Sequence, residues 1–213
     1  MPYILTCKIT LYLRISKPVW IPFSFVFLTC YEWFTEMILD LLQRVCKALN
    51  KSNIPYMVSG SIAMNMYAIP RMTRDIDIVL ELSPGRIDEF TALFPDSYFS
   101  KDSIMEEIMR KGIFNIIDHS TGFKLDFILR KDTEYFINAF SRRKRIVEFD
   151  TELWVICLED LIIAKTIWIQ EFQSEKQTQD IENLLMNPQK DIDYILYWCN
   201  KLNLKTYSLF DDE

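Results

Sequence analysis

Only four glycines and one histidine occur in these 213 residues, and both shortages exclude something. So few glycines leave no Gly/Ser linker to mark a domain boundary and no low-complexity tract. The lone His119 sits in Asp118-His119-Ser120-Thr121-Gly122, which reads as a turn, so a His-centred mechanism is a poor fit. Also missing is any C-x-x-C. Cys7, Cys30, Cys46, Cys157 and Cys199 are odd in number and widely spaced, which argues against a disulfide framework or zinc site and for reduced thiols in a cytoplasmic protein. Positive charge is short as well: 24 basic against 30 acidic residues give a net charge of −6, with no basic tail. Such a chain does not coat nucleic acid indiscriminately, because sequence-independent affinity comes from Lys and Arg neutralising phosphates. A local basic patch can still steer one RNA or nucleotide substrate.

Half of the residues are hydrophobic and a quarter are charged, a globular composition long enough to bury a core in one domain or one domain with a small appendage. Residues 1–36 stand apart as an N-terminal extension, with Lys8, Arg14 and Lys17, no acid before Glu32, and an apolar run over residues 19–30 that Pro22 interrupts. That run is short for a membrane span and no small-residue cleavage site follows it. Three readings stay open: an extension upstream of a true start at Met37, a membrane-associated segment, or a packed part of the fold.

From Glu36 to about Lys51, Ile38, Leu41, Leu42, Val45 and Leu49 recur at helical spacing. Tyr56–Ser59 reads as a strand, with Ser61 a candidate cap for the helix after it. Ile76–Leu82 reads as a β-branched strand. Helices are expected over about 86–93, 101–110 and 133–140, a hairpin over 113–117 and 123–129, and a strand pair near 146–149 and 153–156. Helices then fill 158–170, 175–186 and 192–200. The fold class expected is α+β: a small mixed sheet with flanking helices over 37–150, and a helical C-terminal section over 151–213.

Three features carry chemistry. Val58-Ser59-Gly60-Ser61 sets a glycine and a hydroxyl at a strand-to-helix junction, where backbone can approach a phosphate closely. Arg74-Asp75-Ile76-Asp77-Ile78 places two carboxylates two residues apart on a strand, so both project from one face. Like charges so placed repel, and a divalent cation is the natural remedy, since Mg²⁺ takes a few carboxylates and leaves positions open for substrate phosphates. Asp126 stands in an otherwise apolar strand, Phe123-Lys124-Leu125-Asp126-Phe127-Ile128. Beside the Asp75 strand it completes a three-carboxylate cluster fit for two metal ions.

The order of these parts, together with Met72-Thr73-Arg74-Asp75-Ile76-Asp77, Leu158–Lys165 and Ser174–Ile181, resembles the DNA polymerase β-type nucleotidyltransferase superfamily. Over about Leu41–Leu209 the sequence looks like the small stand-alone prokaryotic nucleotidyltransferases, and is more distantly similar to AbiEii-type toxins. The resemblance implies transfer of a nucleoside monophosphate from an NTP to an acceptor hydroxyl: RNA such as tRNA, a protein, or a small molecule. It implies Asp75, Asp77 and Asp126 as ligands of two Mg²⁺ (or Mn²⁺) ions, Gly60, Ser61, Arg74 and Lys165 around the nucleotide, and Asp180 as a supporting, orienting residue. The rival reading is a non-catalytic nucleotide-binding or antitoxin-like module. Two further stretches allow two readings each. Arg142-Arg143-Lys144-Arg145 is a solvated helix terminus or an RNA contact; Trp168, Phe172, Tyr194, Tyr197 and Trp198 are core more readily than a base-stacking platform.

Overall fold

The computed structural model describes residues 23–148, 150–171 and 174–210, with side chains from Phe34 onward. The apolar run over 19–30 and Phe172 therefore fall wholly or partly outside the described residues. Helix α1 (Phe23–Lys51) runs without a break through Met37, beginning upstream of the Glu36 expected from periodicity. Strand β1 (Tyr56–Val58) and the short helix α2 (Gly60–Met64) follow. Next come β2 (Asp75–Leu80), α3 (Ile87–Thr91), β3 (Ser97–Tyr98) and α4 (Lys101–Arg110). The expected hairpin is β4 (Ile113–Asp118) and β5 (Lys124–Leu129). Asp118 fixes its turn, its Oδ2 accepting from Ser120 Oγ, Thr121 N and Thr121 Oγ1 at 2.6–2.9 Å. Helix α5 (Glu134–Ser141), strands β6 (Lys144–Glu148) and β7 (Thr151–Val155), and helices α6 (Leu158–Ile169), α7 (Glu175–Leu185) and α8 (Ile192–Lys201) complete the chain.

The strands form one mixed seven-stranded sheet in the order β3-β4-β5-β2-β1-β7-β6. β2 lies between β1, antiparallel, and β5, parallel. Alternation along β2 and β5 decides which face is covered. Ile76, Ile78 and Leu80, with Leu125, Phe127 and Leu129, are fully buried on one face. There Phe127 meets Phe90 of α3 edge-on at 5.2 Å and stacks on Phe114 at 5.3 Å, and the apolar side of α1 joins the same core. The other face of these strands stays partly open.

Helix α6 is buried on nearly every side, its apolar residues together with Glu159, Asp160 and Lys165, which are paired inside the fold. It closes over the sheet between α2, α7 and α8. The first half of the basic run at 142–145 is engaged internally, while Lys144 and Arg145 stay exposed. Arg142 pairs with Glu159 and Asp160 at 3.0 Å each and lies over the Tyr194 ring; Arg143 covers Phe140 and Trp154; Arg145 pairs with Glu152. Of the aromatics named above, Trp198 is core, while Trp168 is 45% exposed and borders a cleft described below. Cys46, Cys157 and Cys199 are buried free thiols. Among the described residues, no helix is long and apolar enough to cross a membrane.

Candidate active site

The register of the sheet lays out the open face as three rows. Asp77 of β2 is level with Asp126 of β5, and Asp126 with Asn115 of β4. To one side lie Asp75, Lys124 and Ile117; to the other lie Val79, Ile128 and Ile113. The parallel pairing of β2 with β5 thus brings Asp126 beside the Asp75/Asp77 pair. The expected three-carboxylate neighbourhood follows from strand register alone.

Gly60 sits against this cluster. Its φ is +58°, a backbone conformation that favours glycine, and a Cβ there would lie 1.8 Å from Asp77 Oδ2. The peptide following it bonds to the same carboxylate through the Ser61 amide. Burial, then the neighbouring charges of Asp126 and Asp75, push the Asp77 carboxyl up to about 6, against the pull of Lys165 and that amide. Asp77 is therefore a carboxylate whose charge is disfavoured first by burial and then by its acidic neighbours, with Lys165 and the Ser61 amide offsetting only part of this.

Lys124 supplies part of the balance. Its Nζ is 2.8 Å from Asp126 Oδ2 and 3.9 Å from Asp75 Oδ1, and the hydrogen bond to Asp126 raises its pKa. The carboxylates spread around this ammonium. Among the described residues, no three His, Cys, Asp or Glu side chains converge into a ready-made metal cage.

A second cluster, which sequence reasoning found only in part, closes the other wall. Asp180 of α7 accepts two bonds from Arg71 (Nε and Nη2, both 2.8 Å) and one from Lys165 Nζ of α6 at 2.7 Å. Arg71 also donates to Ser61 Oγ at 2.7 Å. Ser61 is thus held from the side rather than acting as a cap; the capping position of α2 is Ser59, whose side chain makes no cap bond. Burial alone would raise the Asp180 carboxyl, but Arg71 and Lys165 outweigh it and hold it below the usual range. Arg74 is exposed and lies outside the cleft lining, while Arg71, three residues earlier, is inside it. A sequence signal existed: Arg71 and Arg74 flank the same turn into β2, but only the contact with α7 distinguishes them. Asp180→Asn should cost about 2 kcal/mol in stability, since it weakens charge-assisted bonds among buried partners. Urea unfolding checks this, and the loss should shrink as acid protonates the wild-type carboxyl.

Between the two clusters runs a cleft of about 560 Å³. Ser59, Gly60, Ser61, Asp75, Asp77 and Asp126 line it, as do Lys165, Lys176 and Asp180 from the helices. Acids on a sheet floor face cations on a helical wall, a layout able to hold a polyanion together with positive counter-ions.

A search of curated proteins finds no match by sequence. Solved structures do share the fold. The solution structure of the antibiotic-resistance factor ANT(2'')-Ia has a TM-score of 0.52 at 12% identity, covering 79% of this chain and 92% of that one. Its crystal structure with adenylyl-2''-tobramycin has a TM-score of 0.50 at 13% identity, covering 78% and 97%. At such identities the likeness is one of fold. The family described as "Nucleotidyltransferase of unknown function (DUF6036)" matches residues 36–209, most of the sequence, and the chain belongs to that family.

Proposed function

We propose that this chain transfers a nucleoside monophosphate from an NTP to an acceptor hydroxyl and releases pyrophosphate, acting in the cytoplasm. The observation that carries the reading is the cross-strand pair Asp77–Asp126, held against a glycine that leaves room for it and facing Lys165 across an open cleft. The donor set suits a hard divalent cation: carboxylate oxygens, one of them with its pKa raised by burial and then by its acidic neighbours. Asp75, Asp77 and Asp126 are the residues that would hold Mg²⁺ or Mn²⁺, with Lys124 withdrawing as counter-charge. When bound, such ions neutralise phosphate charge and acidify a nearby hydroxyl.

The remaining work falls to the chain itself. Ser61, Lys165 and Lys176 hold the phosphates, with Gly60 allowing close approach and Arg71 and Asp180 fixing Ser61 and Lys165; Arg74, at the rim, is a lesser contributor. Asp126 accepts the acceptor's proton. The acceptor oxygen bonds to the α-phosphorus, the α–β bridging P–O bond breaks, and pyrophosphate leaves with the electron pair. Positioning and charge neutralisation carry the rate.

Incubating the protein with each α-labelled NTP, Mg²⁺ and cell extract tests this directly. Label should move into RNA, protein or a small molecule, and EDTA should stop it. Nucleotide binding without pyrophosphate release would instead favour the non-catalytic module, a reading that the Lys124 bridge between Asp75 and Asp126 supports.

A further inference from the structure

The two ends of the cleft differ in character, and the difference bears on the acceptor. Arg71, Lys165 and Lys176 stand on the helical side, next to Ser61. The β4/β5 side offers Ile113, Asn115 and Ile128, with Lys124 as its charged member. In an in-line displacement the acceptor enters opposite the leaving pyrophosphate. If the cations take the triphosphate, the acceptor lies on the β4/β5 side, where Asn115 is level with Asp126.

That side has no spare negative charge. The cleft is lined by four acids among the described residues: Asp75, Asp77 and Asp126 form the proposed metal cluster, and Asp180 already receives Arg71 and Lys165. That side's one cation among the lining residues is Lys124, which Asp126 and Asp75 match until metal ions take those carboxylates. An RNA acceptor would ask for several cations along its backbone, and a polycation for several free carboxylates. What the wall does present is apolar surface. Ile113 is 44% exposed on the open face of β4 with half-buried Ile128 level with it, and Ile117, 37% exposed, continues that face beyond the cleft lining. Asn115 stands between the two isoleucines as a neutral group able both to donate and to accept.

We propose that the acceptor is a small, uncharged hydroxylated amphiphile, its apolar surface on Ile113 and Ile128 and its reactive hydroxyl between Asn115 and Asp126. This rests on the transferase reading above, and it separates this chain from the tobramycin-bound fold relative by the charge of what the cleft accepts. Apolar contact supplies affinity, and the single amide fixes orientation, the usual division of labour in a small-molecule site.

Methyl NMR of the full chain tests this without depending on turnover, using n-octyl β-D-glucoside below its micellar range as the uncharged probe and tobramycin as the polycation. Octyl glucoside should shift the Ile113 and Ile128 methyl signals saturably, and tobramycin at equal concentration should leave them in place. Ile113→Glu, at an exposed position that tolerates charge, should weaken octyl glucoside at least about fivefold and introduce tobramycin binding. Tobramycin shifting those methyls in the wild type, octyl glucoside moving neither, or Ile113→Glu changing neither affinity would each overturn the proposal. Octyl glucoside binding as expected, in a protein that labels no acceptor, would count against the transferase reading alone. Label transfer to a polycation or to RNA would count against the acceptor class alone.

Discussion

Asp77→Asn is expected to abolish label transfer while making the metal-free protein more stable. The loss of activity follows from removing one of two level carboxylates at the proposed reaction centre, where a single preorganised group is worth at least about 100-fold. The gain in stability follows from the Asp77 carboxyl itself, which titrates at about 6 in the fold against an ordinary value of 3.8. A carboxyl raised by folding leaves stability intact below its unfolded value and lowers it as pH rises through the folded value. In EDTA the wild type should therefore lose on the order of 2 kcal/mol between about pH 4 and pH 6 from this group, and remain lower above it. Asparagine has no charge to desolvate and escapes that penalty. Thermal melts across this pH range, paired with transfer assays, measure both halves. A variant that lost activity and also melted lower at pH 7 would mean that Asp77 serves the fold rather than the reaction.

Gly60→Ala should do the most structural damage for one added carbon. The new Cβ would fall 1.8 Å from Asp77 Oδ2, 2.4 Å from Cγ and 2.8 Å from Cβ, so rotating the carboxylate away does not clear the clash. The backbone must shift as well, at a position whose φ of +58° already disfavours a side chain. Left-handed strain and overpacking together cost roughly 2–4 kcal/mol. Any relaxation moves either the Ser61 amide or the Asp77 carboxylate, and a displacement near 1 Å lowers turnover about 100-fold. Urea unfolding and label transfer should both fall. A variant of wild-type stability would show that the glycine is not needed for close approach.

Much of this site was legible in the sequence, and the reason is local periodicity. Asp75 and Asp77 share a face because strands alternate, and the apolar residues between them leave no doubt which face is core. The α4 boundaries, Lys101 and Arg110, and the hairpin around Asp118 follow from local spacing and turn chemistry in the same way. What local pattern does not carry is partnership across the chain. Arg71 meets Asp180 only because α7 packs on α6, which itself lies against α2, so the choice between Arg71 and Arg74 depended on a contact 109 positions away. Lys124 reads as an ordinary strand lysine until β5 is set parallel to β2, which puts it level with Asp75. Arg142, in the basic run at 142–145, is engaged for the same reason: its partners Glu159, Asp160 and Tyr194 come later in the chain.

The place of β7 in the sheet has a consequence for how the molecule forms. Val58 is level with Val155, and the amide of Ile156 donates to the carbonyl of Val58 at 3.0 Å. The strand beneath the Gly60 loop thus gains its outer neighbour only after most of the sequence has left the ribosome. Until then β1 is an unpaired edge, open to wrong partners, and pairings over such separations close slowly. Assembly of this cleft is therefore a late event in folding, and newly made chains carry their greatest risk of aggregation before it.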